Sequence, residues 1–276
     1  MKRNKTMDKS RRDYKNMKVV ILAGGFGTRI SEESHLRPKP MIEIDGNPIL
    51  WHIMKIFSTQ GFNDFVICAG YKQHMIKEYF DDYFLHSSDV TFDYRDGRKL
   101  VTVHGTQVEP WRVTVADTGY GTMTGGRVGR IRDYIGDNPF MLTYGDGVSD
   151  VDLSQLISTH RASSDSIVTL TGVALAQSKG VLGVESSGKI RSFREKRDSD
   201  GSVINGGFMV CEPELFDYID GDGCVLESGP LTVLAEEGKL SCYRHYGFWK
   251  CMDTQREREQ LEKLWASGDA PWKIWR

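Results

Sequence analysis

Long apolar runs are the first thing missing from this 276-residue chain. No stretch approaches the roughly 20 residues needed to cross a bilayer, and the N-terminus has no apolar core of the secretory kind. No membrane partner is therefore expected, and the expected location is cytoplasmic. Cysteine is scarce as well. Cys68, Cys211, Cys224, Cys242 and Cys251 are odd in number, scattered and without a C-x-x-C pair, which argues against a zinc site and for reduced thiols packed mostly in the core. Charge of one sign is not in excess either. With 36 Lys and Arg against 38 Asp and Glu, the net charge of -2 gives no global field for nucleic acid or an anionic membrane. Any anion binding must be local. Repeats, low-complexity tracts, a Ser/His/Asp set and an H-E-x-x-H helix are also missing.

What is present is ordinary globular composition, 39% hydrophobic and 27% charged, with enough length to bury one large core or two smaller ones; a single compact domain with attachments is expected. Residues 1–16, "MKRNKTMDKSRRDYKN", are polar and basic with no apolar period, so a disordered tail is expected. As a basic arm for nucleic acid the segment lacks interleaved aromatics apart from Tyr14. The fold should begin near Met17. From there short apolar runs alternate with helix-length segments: "KVVILAG", "PILWHIMKIFSTQG", "DFVICAG", "KQHMIKEYFDDYF", "GRVGRIRDYIGD", "FMLTYGD". That alternation predicts an α/β, mostly parallel, doubly wound Rossmann-like sheet, with a nucleotide half at about 17–150. Residues 90–119 alternate on a period of two around Asp96-Gly97, which predicts a hairpin or small antiparallel excursion. After a helix capped by Asp152 or Ser154, strand patterns dominate 151–276, a small β-rich half continuing the same sheet. The last helix should stop at Gly268.

The stretch "VVILAGGFGTRISEESHLRPKPM", residues 19–41, carries the strongest chemical signal. A strand buried on both faces runs into a glycine loop, which in open sheets of this kind is where ligands sit. Neither common phosphate motif fits, because Ile30 stands where the Walker pattern and the dinucleotide pattern each need a glycine. Yet Gly24, Gly25 and Gly27 would let backbone N–H groups approach an anion, Thr28 adds a hydroxyl, and Arg29 offers a fork of donors suited to phosphate. Lys39 lies between Pro38 and Pro40, whose restricted backbone limits the entropy lost when the amine meets its target.

These residues resemble the signature of the sugar-1-phosphate nucleotidylyltransferases. Further segments, "EESHLRPKPMIEIDGNPILWHIMKIFSTQGF", "VICAGYKQHMIKEYF", "VEPWRVTVADTG", "MTGGRVGRI", "FMLTYGDGVSDVDL", "INGGFMV" and "GFWKCMDT", resemble the glucose-1-phosphate cytidylyltransferases, from about Met17 to the end. The resemblance implies transfer from CTP to a sugar 1-phosphate, that of glucose first, forming a CDP-sugar and pyrophosphate. Backbone at Leu22, Ala23, Gly24, Gly25 and Gly27, with Thr28 and Gly145, would meet the nucleotide. Arg29 would grip the departing pyrophosphate, Lys39 the α-phosphate, and Thr122 and Arg127 would add nucleotide contacts. Asp146 and Asp253 would share Mg2+, a hard ion suited to carboxylates and substrate oxygens. In "FREK", Lys196 would bind the sugar phosphate and Glu195 the hydroxyls, and Asn205 and Gly206 would meet the hexose. The family also implies a homo-oligomer. Residues 172–184 and 224–231 depart from the glucose-enzyme pattern, so the same chemistry with another sugar 1-phosphate or another nucleoside triphosphate stays open, as does a non-catalytic sugar-nucleotide binder.

Overall fold

The computed structural model describes residues 9, 12–27, 30–174, 181–184, 190–194 and 203–275. Its elements run β1 (Lys18–Ala23), α1 (Ser31–Ser34), β2 (Glu43–Ile44), β3 (Asn47–Pro48), α2 (Ile49–Thr59), β4 (Asp64–Ala69), α3 (Gln73–His86), β5 (Ser88–Asp93), β6 (Leu100–Thr106), β7 (Arg112–Asp117), α4 (Thr124–Arg130), α5 (Arg132–Ile135), β8 (Phe140–Tyr144), β9 (Gly147–Ser149) and α6 (Leu153–Ala162). The remainder is β10 (Val168–Ala174), β11 (Val181–Val184), β12 (Ile190–Arg194), β13 (Val203–Asn205), β14 (Met209–Cys211), α7 (Pro230–Glu236), β15 (Leu240–His245), β16 (Trp249–Cys251) and α8 (Gln255–Ala266).

The apolar run "KVVILA" forms β1, buried from Val19 onward, and it pairs in parallel with β4 on one side and β8 on the other. β7 extends the sheet in parallel beyond β4. Beyond β8 the direction reverses: β14 is antiparallel to β8, β10 antiparallel to β13 and β14, and β15 parallel to β10. Four of the seven pairings are parallel, including all three among β1, β4, β7 and β8. Alternate β1 side chains serve opposite cores. Val19 and Ile21 pack with Ile53 and Phe57 of α2 and Leu261 of α8, whereas Val20 and Leu22 pack with Val128 of α4, Ile131, Ile135 of α5 and Leu234 of α7. Helices on both faces are what a doubly wound sheet requires. Each such buried side chain contributes roughly 1.5–3 kcal/mol.

Two expectations are corrected. The period-two stretch 90–119 is not one excursion: β5 and β6 form an antiparallel hairpin around Gly97, but β7 joins the main sheet in parallel. An edge strand with one half-solvated face alternates just as a hairpin arm does, so periodicity could not separate them. Residues 12–16, expected in a disordered tail, are docked together with Lys9. Tyr14 is buried, its hydroxyl donates to Glu212 Oε1, and Arg12 Nη2 donates to Glu214 Oε1 at 2.6 Å. Glu212 is fully buried and faces His160 Nε2 at 3.1 Å, while the Lys9 ammonium donates to the His160 and Ser163 carbonyls. The segment is held by polar contacts to a distant acid rather than by an apolar period.

Candidate active site

Beyond the carboxyl ends of β1 and β8 lies a cavity of about 420 Å³. The glycines that border it meet different demands. A Cβ on Gly24 would stand 2.1 Å from Arg127 Nη1, and one on Gly145 would stand 2.7 Å from the Leu22 carbonyl, so both are required by packing. Gly27 adopts φ +65°, which favours glycine. Gly25 alone of these four meets no atom within 4 Å, leaving its backbone open to an approaching ligand.

Lys39 enters from a 3-10 turn, Lys39–Met41, that starts behind Pro38. Its ammonium donates to Asp146 Oδ2 and to Asp253 Oδ1, each at 2.6 Å. The two acids are far apart in sequence, and the antiparallel pairing of β9 with β16 brings them together, with Met252 N donating to the Asp146 carbonyl at 2.8 Å. Asp253 is then fixed from behind. Its N–H and that of Thr254 donate to Glu257 Oε2, within the capping box that starts α8. Burial pulls the Lys39 pKa down, but Asp146 and Asp253 more than offset this and leave it raised. Two carboxylates already converging on one cationic centre suit a hard divalent ion, with water and substrate oxygens completing its shell. No cluster of three or more potential ligands occurs among the described residues.

Leu22, Ala23, Gly24, Gly25, Gly27, Lys39, Thr122, Arg127, Gly145, Asp146 and Asp253, all expected from the sequence, line this one cavity. Thr28, Arg29, Glu195 and Lys196 lie outside the described residues. Arg127 is buried and largely committed: Nη1 donates to Thr118 Oγ1 at 2.9 Å and the Gly119 carbonyl at 2.8 Å, and Nη2 to the Gly24 carbonyl at 2.9 Å. It braces the glycine loop against the segment after β7. The glycines of "TGGR" likewise serve packing, since a Cβ on Gly126 would stand 2.6 Å from the Asp222 carbonyl. Asn205 reaches the cavity through Tyr144, whose hydroxyl accepts from Nδ2 at 3.0 Å, and the Gly206 carbonyl accepts from Trp249 Nε1 at 2.7 Å.

Sequence reasoning missed Tyr144, Phe26 and the brace made by Glu257. The last had a readable signal in Thr254-x-x-Glu257. Phe26, 44% exposed at the rim, packs edge-on to Tyr120 with ring centroids 5.0 Å apart. Ser149, His245 and Asp150 do meet, but the serine hydroxyl and the carboxylate face the same ring nitrogen, Nε2, so the imidazole cannot relay a proton between them. Cys251, beside Asp253, is pushed up to about 12 by burial and the neighbouring carboxylates, so it is no thiolate nucleophile.

A family model described as nucleotidyl transferase matches residues 18–224. Over 260 residues the chain is 51% identical to a glucose-1-phosphate cytidylyltransferase of Salmonella typhi, a match spanning 94% of this chain and 100% of that one. It is 46% identical, over the same shares, to a probable glucose-1-phosphate cytidylyltransferase of Bacillus subtilis (strain 168). Among solved structures, HddC from Yersinia pseudotuberculosis aligns with a TM-score of 0.62 at 20% identity, covering 90% of this chain and 99% of its own. UDP-glucose pyrophosphorylase complexed with UDP-glucose aligns with a TM-score of 0.64 at 17% identity, covering 92% and 99%. At those identities the structural likeness establishes the fold.

Proposed function

Since the chain belongs to the nucleotidyl transferase family, we propose that it joins CTP to glucose 1-phosphate, giving CDP-glucose and pyrophosphate. The observation that carries this reading is the convergence of the open Gly25 backbone, Lys39, Asp146 and Asp253 on one strand-end cavity. A phosphate oxygen of the sugar phosphate attacks the α-phosphorus in line. The new P–O bond forms as the bond to the bridging oxygen breaks, and that oxygen leaves with pyrophosphate.

The nucleophile is already ionised at neutral pH, so no general base is needed, and positioning with electrostatics must supply the rate. Two like charges brought to about 4 Å repel by roughly 4 kcal/mol at an effective dielectric of about 20, and about 1.4 kcal/mol is tenfold in rate. Lys39 would offset that repulsion at the α-phosphate, and Arg29 would meet the pyrophosphate. Asp146 and Asp253 would hold Mg2+, which when bound adds positive charge beside the triphosphate. The open backbone at Gly25, with Leu22 and Ala23, seats the nucleotide, and Arg127 keeps that loop in place. On the other side Asn205 and Gly206, with Glu195 and Lys196, would take the sugar phosphate. Although residues 172–184 and 224–231 depart from the expected pattern, the relatives named for glucose 1-phosphate match across nearly the whole chain, which favours glucose. A cytoplasmic homo-oligomer is the expected working form.

The deciding experiment is a matrix of CTP, UTP, dTTP and GTP against a panel of sugar 1-phosphates, read by pyrophosphate release with Mg2+ present. CTP with glucose 1-phosphate should give the highest kcat/KM. Binding of CTP without pyrophosphate release from any sugar phosphate would make the protein a sugar-nucleotide sensor.

A further inference from the structure

We infer that Glu227 is a positioning residue that ties the nucleotide side of the cavity to its sugar side and thereby sets affinity for the sugar 1-phosphate, an inference that rests on the activity proposed above. Glu227 is exposed, in the segment between Cys224 and α7. Its Oε1 accepts from the Tyr144 hydroxyl and its Oε2 from Thr124 Oγ1, each at 2.7 Å. Tyr144 and Thr124 both line the cavity, the first at the end of β8 and the second opening α4.

Each hydroxyl is also an acceptor. Tyr144 receives Asn205 Nδ2 at 3.0 Å, and Thr124 Oγ1 receives the Leu226 N–H at 3.0 Å. Asn205 Oδ1 is held in turn by the Gly207 N–H at 3.0 Å, which fixes the sense of its amide. Both hydroxyls therefore have to point their single protons at Glu227, and only a group that accepts at both ends can close the two chains. An ionised carboxylate does so. A glutamine of the same shape offers one acceptor and one donor, and would oppose one of the two hydroxyls. Losing the carboxylate frees the Tyr144 proton to turn away from Glu227, which competes with the Asn205 donor and loosens the turn after β13 where the sugar would sit. The Thr124 arm, with its second anchor at the Leu226 backbone, has less to lose. The effect should therefore fall on the sugar phosphate and spare CTP.

The test is steady-state kinetics of wild type, Glu227→Gln, Tyr144→Phe and the double variant with CTP and glucose 1-phosphate, together with their melting temperatures. Losing a hydrogen bond to a charged group corresponds to roughly tenfold or more. Each single variant should raise KM for glucose 1-phosphate by about that factor, with KM for CTP within about threefold and melting unchanged. Because both substitutions break the same link, the double variant should be no worse than the weaker single. Unchanged kinetics in Glu227→Gln, equal losses for both substrates accompanied by lower melting, or additive effects in the double variant would each overturn the inference while leaving the activity standing. An inactive wild type would remove both.

Discussion

Gly24 and Gly25 are neighbours under different constraints. At Gly24 a methyl group would collide with the Arg127 guanidinium, so Gly24→Ala should cost about 1–3 kcal/mol, measurable by denaturant titration. At Gly25 nothing is in the way, so Gly25→Ala should leave stability intact and raise KM for CTP by blocking backbone approach. Lys39→Ala should lower kcat about a hundredfold or more in the pyrophosphate assay, as expected when a donor at the transition-state charge is removed. Asp146→Asn should do likewise with the fold preserved. Lys39 was legible in the sequence because two prolines fix its backbone, and Asp146 because it ends an apolar strand. Their meeting with Asp253 was not, since it is made by the β9–β16 pairing, a contact that leaves no local pattern. His52 was not singled out at all. It is fully buried, Nε2 donates to the Ile44 carbonyl at 3.1 Å, and burial lowers its pKa to about 4 against an opposing contribution from that bond. Because the folded pKa lies below the unfolded one, the unfolded chain takes up the proton first. The neutral imidazole's contribution, up to about 3 kcal/mol, is complete above the unfolded pKa of about 6.5 and lost as pH falls toward 4. Melting curves from pH 7 to pH 4 should show this slope in wild type and a shallower one in His52→Phe.

At the scale of elements, α8 connects stability to chemistry. Its capping box uses Glu257 both to start the helix and to hold the Asp253 N–H at 2.8 Å. Glu257→Ala should cost about 1 kcal/mol of stability and also raise the metal concentration needed for half-maximal activity, two readouts that an ordinary helix cap would not couple. Most elements could be read from the chain. The buried run of β1, the apolar face of α2 and the stop at Gly268 each follow from local residue order, and of the two caps expected for α6, Asp152 or Ser154, it is Asp152 that accepts from the Gln155 N–H. What escaped was β7, whose neighbour in the sheet is decided by the crossover that precedes it. The role of the "TGGR" glycines also escaped, because the Asp222 backbone that presses on α4 arrives from far along the chain.

At the scale of the whole molecule, Lys9 and residues 12–16 are part of the body. Glu212, fully buried, relies on Tyr14, His160 and nearby Lys9 and Arg12, so deleting residues 1–16 strips a buried carboxylate of most of its partners. That should cost roughly 3–5 kcal/mol and lower the melting temperature by several degrees, while kcat and KM for CTP stay near wild type. Composition could not reveal this, because the compensating acid lies 198 residues from Tyr14. The sheet itself sets a limit on motion. β8 is bonded along one edge to β1 and along the other to β14, and Phe57 stacks on Phe208 across the same core. A clamshell swing about β8 would have to tear that ladder. Substrate capture must instead come from loop and side-chain adjustment over an unyielding floor, and small-angle scattering profiles recorded with and without both substrates should superimpose.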